Sequence, residues 1–311
     1  LPDKNIMAVP FDLLIMGAAV ETGIINALEK RPMTAAELAA EITADQRAVW
    51  TVLEAMAALG YLTRQDHSYA LSGDARNMIF TPGAPNYTGL SFMHRYELLK
   101  SWIHLPEVIA TGKPHPRKRT PVTTAYFMAA MQEGARRSAR PMGEFLLSGS
   151  PRNTRVLDIG GGPLFYARAF TALGAAVTVL DLAEVVSMMG KEAAAAGIEM
   201  IAGDFNVALP EGPFDLAYLG NINHMVGEEE NQELIRKTAG VLKPGGRIAI
   251  VEFVRGASPF AAVFGVNMLV NTGNGGTWTM EQFTGWLENS GFGDIRLDTV
   301  AERQVITATK K

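Results

Sequence analysis

The sequence contains no cysteine, which removes disulfides, thiolate metal centres and cysteine nucleophiles together. No apolar run approaches the ~20 residues of a membrane-spanning helix. Nor does the start carry a basic stretch followed by an apolar segment. A soluble, cytoplasmic chain without a membrane partner is therefore expected. Basic charge is also in short supply, with 28 Lys and Arg against 32 Asp and Glu and a formal net charge of −4. Nucleic-acid affinity rests on a basic face, so no nucleic-acid partner is expected. What the chain does have is apolar material, 48% of 311 residues. That suffices for a substantial core, and the length suits two domains at ~100–200 residues each.

The first stretch, Phe11–Glu29, places Leu13, Leu14, Ala18, Ile24, Ile25 and Leu28 at helical spacings, interrupted by Gly17 and Gly23. After Pro32, Thr34-Ala-Ala-Glu37 reads as a capping box opening a short helix, and Thr43-Ala-Asp-Gln46 as a second one. The helix predicted after it, Arg47–Leu59, ends at Gly60. Two short runs, Tyr61–Arg64 and Ser68–Leu71, flank a polar turn and predict a hairpin. This succession is a winged helix-turn-helix. Its last helix carries Ala48, Val49, Trp50, Val52, Leu53, Ala55 and Met56, and only Arg47 could readily bond a base edge or phosphate. An apolar helix of that kind wants another protein surface, so residues 1–82 are expected to be a mainly α-helical dimerisation domain.

Residues 83–147 predict further helices around a loop at Thr111–Pro121 that is rich in Pro and Lys or Arg. From 148 to 311 the pattern changes. Strand-like runs at Arg155–Ile159, Ala176–Leu180, Ile198–Ala202, Phe214–Leu219, Arg247–Phe253, Ile295–Leu297 and Gln304–Thr309 alternate with helices. Such βαβ units build a mostly parallel, Rossmann-like α/β sheet.

Chemistry concentrates at the ends of those strands. The first runs through Asp158 into Gly160, Gly161 and Gly162, where glycines let the backbone turn sharply and approach a ligand. A P-loop would end in Gly-Lys-Ser/Thr, which is absent. A dinucleotide site would want glycine where Phe165 stands, and an S-adenosylmethionine (SAM) site glycine where Leu164 stands. The turn alone does not choose. Its neighbours do: Asp181 ends the second strand, positioned to take both hydroxyls of a ribose. Gly203, Asp204 and Phe205 end the third, where an adenine would lie, and Lys243-Pro-Gly-Gly246 forms a tight turn into the fifth.

With LDIGGG at 157–162, VLDLAEVV at 179–186, GDF at 203–205, INHMVGEEE at 222–230, LKPGG at 242–246 and NMLVNTG…WTMEQF…GF across 267–292, the whole chain resembles the class I SAM-dependent small-molecule O-methyltransferases. That family includes plant caffeate and flavonoid enzymes and bacterial polyketide and pigment methyltransferases. The resemblance implies a homodimer and methyl transfer to a hydroxyl of an aromatic, quinone, polyketide or tetrapyrrole-like acceptor. It makes SAM the cofactor, held by Asp158, Gly160, Gly161, Gly162, Asp181, Leu182, Gly203, Asp204, Phe205 and Asn221. His224 falls where the family has its general base, although Met225 and Val226 replace the Asp and Trp that follow it there. Glu252 matches the glutamate that orients the base, whereas Thr277 stands where the plant enzymes carry a second. A histidine can take a hydroxyl proton, and a carboxylate can fix its tautomer.

The resemblance also implies that the middle helices cap the acceptor site, which His94 would line. Residue type makes Phe127, Met131 and Met268 candidates for an apolar pocket wall and Asn223 and Asn267 candidates for its polar substrate contacts. His94, His104 and His115 show no partner at metal-ligand spacing, so no metal is expected. Two other readings remain at this point. Leu164 and Thr277 are departures compatible with a SAM-binding member diverted to hydroxylation or pericyclic chemistry, and the winged helix is compatible with a ligand-responsive DNA-binding regulator.

Overall fold

The computed structural model describes residues 9–115 and 120–311, so part of the Pro-rich, basic loop lies outside the described residues. The chain forms two compact units. Described residues of 1–100 and 119–131 make one, and those of 101–118 and 132–311 the other. The helices of 83–147 are thus shared between them.

In the first unit, α1 (Phe11–Glu21) and α2 (Ile24–Lys30) meet at an angle of 70°. The break falls at Gly23, whose φ of +85° suits a residue without a side chain. Gly17, the other expected break, lies inside α1. A Cβ there would stand 2.2 Å from the Tyr96 ring, so its role is close packing. The short strand β1 (Met33–Thr34) leads into α3 (Ala35–Glu41), which opens with the predicted Thr34–Glu37 capping box. The start of α4 (Gln46–Ala58) differs from expectation. Asp45 is the cap, accepting from the Ala48 N–H at 2.8 Å, while Thr43 sits in a left-handed turn at φ 54°. A carboxylate at the positive end of a helix displaces the hydroxyl expected two residues earlier. The wing, β2 (Leu62–Gln65) and β3 (Ser68–Leu71), pairs antiparallel with β1 beside β3. Ile25, Leu28, Met33, Leu38, Leu53, Met56 and Met93 fill the core. At ~1.5–3 kcal/mol per fully buried side chain, this cluster gives the unit its own hydrophobic stabilisation. The helix α5 (Gly73–Phe80) and most of α6 (Ser91–Trp102) and α8 (Pro121–Arg136) complete this unit, whereas α7 (Leu105–Thr111) and α9 (Ala139–Leu146) belong to the second.

The second unit is built on a seven-stranded sheet of order β6-β5-β4-β7-β8-β10-β9. Its parallel strands are β4 (Arg155–Ile159), β5 (Ala176–Asp181), β6 (Glu199–Ala202), β7 (Phe214–Gly220) and β8 (Leu242–Glu252). The pair β9 (Phe292–Val300) and β10 (Arg303–Lys310) is antiparallel. Crossovers run through α10 (Phe165–Ala172), α11 (Ala183–Ala195) and α12 (Glu228–Val241), while α13 (Pro259–Asn271) and α14 (Met280–Asn289) follow β8. Alternate residues divide the core between two faces. Val156, Leu216, Ala249, Val251 and Val305 pack with Leu164 and Phe170 on one. Leu157, Ala217, Ile248, Ile250 and Ile306 pack with Leu234, Ile235 and Phe283 on the other. Lys243–Gly246 is not a turn ahead of β8 but a bulged start of it, the register shifting between Phe214 and Leu216 of β7. β9 is longer than the apolar Ile295–Leu297 suggested, because pairing with β10 carries its polar residues along. Strand order reverses at β4, between β5 and β7, and the crevice past the strand ends at such a reversal is where open α/β sheets bind ligands. Among the described residues no single helix is long and apolar enough to cross a membrane.

Candidate active site

Between β4 and α10 the chain turns through Gly160 at φ +74°, its N–H donating to the Leu180 carbonyl at 2.8 Å. Side chains are excluded from the next two positions. A Cβ on Gly161 would lie 2.2 Å from the Asp158 carboxyl, and one on Gly162 would lie 2.3 Å from Val185 and 2.5 Å from the Asp181 carboxylate. Asp181 ties the turn to β5 by accepting from the Gly162 N–H at 2.8 Å and the Leu182 N–H at 2.7 Å. Each oxygen keeps a second lone pair for a hydroxyl. Leu182 itself is exposed and contributes its backbone. Leu164 stands at φ 64°, the conformation that a glycine would adopt without cost, so the turn keeps its path despite the substitution. Its side chain is fully buried.

Asp158 is buried, and burial with the nearby Asp181 charge pushes its carboxyl from 3.8 up to about 8. Burial raises Asp181 too, against its two backbone hydrogen bonds. Two carboxylates held together in a low-dielectric turn favour a cationic ligand. SAM, with a sulfonium and an ammonium, fits that donor set and the side-chain-free glycine turn. Gly203 donates its N–H to the Asp181 carbonyl at 2.9 Å. Asp204 accepts from the Asn206 N–H at 2.8 Å, closing its own turn, and Phe205 packs half-buried against the core. Asn221, expected at the cofactor, also pairs with a later strand. Its side-chain oxygen accepts from Arg303, which β10 brings alongside, and the guanidinium lies 4.8 Å from the Phe253 ring.

Beyond β7 a single turn of helix, Asn223–Met225, holds His224. Its Nδ1 lies 2.8 Å from Oε2 of Glu252, the last residue of the neighbouring β8, and its backbone N–H reaches Oε1 at 3.2 Å. The Phe253 N–H also donates to Oε2, at 3.3 Å. Both side chains are buried. A carboxylate on Nδ1 places the proton there and leaves Nε2 as the acceptor. His224 does not cap α12, which starts after Gly227 without a side-chain cap. The Phe264 ring from α13 stands edge-on, 5.0 Å from the imidazole at 85°. Thr277 is buried under α13, where a Cβ on Gly265 would come within 2.9 Å of its hydroxyl.

Sequence reasoning missed what holds this turn. Asn231 of α12 donates to the carbonyls of Asn223 and Gly227 at 2.9 Å and of Val226 at 3.2 Å. The Trp278 indole donates to Asn223 at 2.9 Å, and Gly276 to the His224 carbonyl at 3.0 Å. The available signal was a polar Asn231 on the buried stripe that continues through Leu234, Ile235 and Thr238. Asn223, expected to contact substrate, has no exposed surface, and its amide donates to Asn231 at 2.7 Å. Asn267 is occupied as well, accepting from the Trp102 indole at 3.0 Å and the Asn271 amide at 3.1 Å. Met268 is buried on α13. In the first unit, His94 and Phe127 meet edge to face at 5.4 Å. Met131 lies on α8 in the same unit, half-buried. The expectation that His104 and His115 lack a partner needs correction. The chain reverses at Gly112, and their rings stack at 3.5 Å beside Glu107.

The profile of the O-methyltransferase domain matches residues 115–293, and that of the O-methyltransferase dimerisation domain residues 14–79. The chain belongs to the O-methyltransferase family. This O-methyltransferase is a SAM-dependent enzyme, with an N-terminal dimerisation domain ahead of a Rossmann-like core. Among curated relatives, the 3-hydroxy-5-methyl-1-naphthoate 3-O-methyltransferase of Streptomyces sahachiroi is 28% identical, over 90% of this chain and 85% of its own. Solved structures share the fold. PigF with SAH aligns at a TM-score of 0.81 with 22% identity, covering 98% of each chain. Human N-acetylserotonin methyltransferase in complex with SAM aligns at 0.75 with 23% identity, over 96% of this chain and 94% of that one.

Proposed function

We propose that this O-methyltransferase methylates a hydroxyl on a flat aromatic or polyketide-derived acceptor, with His224 as general base and Glu252 as the group that orients it. The observation that carries the reading is the buried His224–Glu252 pair at 2.8 Å, with Nε2 left as the proton acceptor. The naphthoate relative supports an aromatic acceptor. When bound, SAM supplies an electrophilic methyl on a sulfonium, and the acceptor must arrive in line with it, positioned and deprotonated. Asp158 and Asp181 hold the positive charge of the cofactor, and the Gly160–Gly162 turn admits it without side-chain obstruction. His224 Nε2 takes the hydroxyl proton as the oxygen becomes nucleophilic. Glu252 stabilises the imidazolium that results, as a carboxylate does behind the base of a hydrolase triad. The Asn231 and Trp278 hydrogen bonds keep the imidazole from drifting, which matters because small misplacements of a base are costly.

We further propose that the enzyme acts as a homodimer through its first unit, in keeping with the dimerisation-domain match. Exposed Phe11, Leu14, Trp50 and Leu59 supply apolar surface there. Light scattering of the pure protein would test this, and a monomer at micromolar concentration would refute it. The acceptor is tested by incubating the enzyme with methyl-labelled SAM and a panel of hydroxynaphthoates, anthraquinones and simple phenols. Label transferred to a ring hydroxyl supports the reading. Turnover confined to amines or carbon acids would reject it.

A further inference from the structure

A second cluster of chemistry-bearing side chains lies in the second unit, apart from the His224–Glu252 pair and on different elements. His104 is the residue preceding α7, Glu107 lies in that helix's first turn, and His115 follows its end. Gly112 terminates α7 at φ 68°, a left-handed conformation that turns the chain back towards its start. The result is that the His104 and His115 rings stack, centroids 3.5 Å apart and planes within 2°. Glu107 Oε2 lies 3.9 Å from His104 Nδ1, and donor atoms of all three residues fall within 4.8 Å of one another.

We propose that His104, Glu107 and His115 form a binding site for a divalent transition-metal ion of the Zn²⁺ type. Two imidazole nitrogens and one carboxylate oxygen are a borderline-soft set, suited to Zn²⁺ or Cu²⁺ and poorly suited to Mg²⁺ or Ca²⁺, which favour oxygen alone. Around tetrahedral zinc with Zn–N near 2.0–2.1 Å, neighbouring donors lie about 3.4 Å apart, and the donors here, all within 4.8 Å of one another, would draw in around an ion. The lone pairs of stacked rings run parallel, so ion binding requires the two imidazoles to turn out of their stack towards a common point. Glu107 is exposed and His104 half-buried, so an ion reaches the site from solvent.

The scaffold beneath the three donors is anchored. Val108 is buried and its N–H donates to the His104 carbonyl at 3.0 Å, the Gly112 N–H returns to Val108 at 2.8 Å, and the His115 N–H donates to Val270 of α13 at 3.3 Å. Trp102, just ahead of His104, is hydrogen-bonded to Asn267 of the same helix. An ion on these donors closes a chelate ring over the Gly112 reversal and fixes the 101–115 stretch against α13. Three protein ligands leave one tetrahedral position to water. The role this assigns to the metal is a clamp on that stretch, independent of methyl transfer.

The test is titration of the metal-free protein with Zn²⁺ in competition with a chromophoric chelator. One ion per chain is expected. His104→Ala and His115→Ala should each weaken binding by about tenfold or more, and Glu107→Gln by less. Cu²⁺ used as a spectroscopic probe should show hyperfine coupling to two nitrogens, falling to one in His115→Ala. These positions are surface or half-buried, so the metal-free variants should unfold within ~2 °C of the parent. Equal Zn²⁺ affinity in the parent and in the His104→Ala/His115→Ala double variant would overturn the proposal. So would no binding to the parent at ~100 μM Zn²⁺.

Discussion

His224, in the helical turn beyond β7, meets Glu252, the last residue of the adjacent parallel β8, and the 2.8 Å contact between Nδ1 and the carboxylate sets which imidazole nitrogen is left as a base. Replacing the base should therefore separate chemistry from cofactor binding. For His224→Ala, kcat is expected to fall by ~10²–10⁴, while the dissociation constant for SAM in calorimetry stays within about twofold of the parent. Glu252→Gln keeps a hydrogen bond but loses the charge behind the imidazolium, and should cost less than His224→Ala. Parent-like turnover in His224→Ala would mean that the acceptor arrives already ionised.

Asp158 supplies a pH dependence with a definite sign. Its carboxyl is raised from 3.8 to about 8, mainly by burial and then by Asp181. The fold therefore favours the protonated form, whereas the unfolded chain ionises near the ordinary value. The contribution of Asp158 to the cofactor-free protein is most favourable below that ordinary value. It is lost as pH rises towards about 8 and is flat beyond it. Cationic SAM prefers the ionised form, so its affinity should rise over the same interval. Thermal unfolding and calorimetry from pH 5 to 9 would check both slopes, and Asp158→Asn should flatten them.

The Asn231 side chain bonds three carbonyls of the turn that carries His224. The Asn223 and Gly227 carbonyls keep the Trp278 indole and the residue-231 backbone N–H. Asn231→Ala therefore chiefly strips the Val226 carbonyl of its side-chain donor and the buried Asn223 amide of its acceptor, at ~1–3 kcal/mol for an unsatisfied group. Urea unfolding should register a loss of about 2–4 kcal/mol, since more than one group is affected. Because the imidazole is then less well fixed, kcat should fall more than the affinity for SAM. Equal losses in both would show that Asn231 supports the whole fold rather than this turn.

The sheet was legible because it depends on local pattern, apolar runs of strand length with glycines and carboxylates at their ends, whereas His224 and Glu252 were singled out by the resemblance to the O-methyltransferases. What escaped depends on chain returns. Arg303 reaches Asn221 only because β10 runs back beside β8. Asn223 looked like a polar pocket residue, yet its partner is one helix away at Asn231. His104 and His115 looked unpaired along the sequence until the turn at Gly112 brought them together. Glu107, by contrast, was visible at i+3 on the same helix start and was overlooked.

Leu164 shows how a local rule is overridden by packing. It occupies a left-handed position at φ 64°, which costs a non-glycine residue roughly 1–2 kcal/mol. Its side chain is fully buried beside Phe170 and Val179, and that burial, about 2–3 kcal/mol for a leucine, offsets the strain. The two terms can be separated by two substitutions. Leu164→Gly removes both the strain and the buried side chain, and should destabilise by about 1–3 kcal/mol. Leu164→Ala keeps the strain while leaving a similar cavity, so it should be the less stable of the pair, at about 3–5 kcal/mol below the parent. Denaturant midpoints at constant m would measure the order. If Leu164→Ala proved the more stable variant, the left-handed strain would be negligible, and glycine's preference at this turn would have to come from access to the ligand instead.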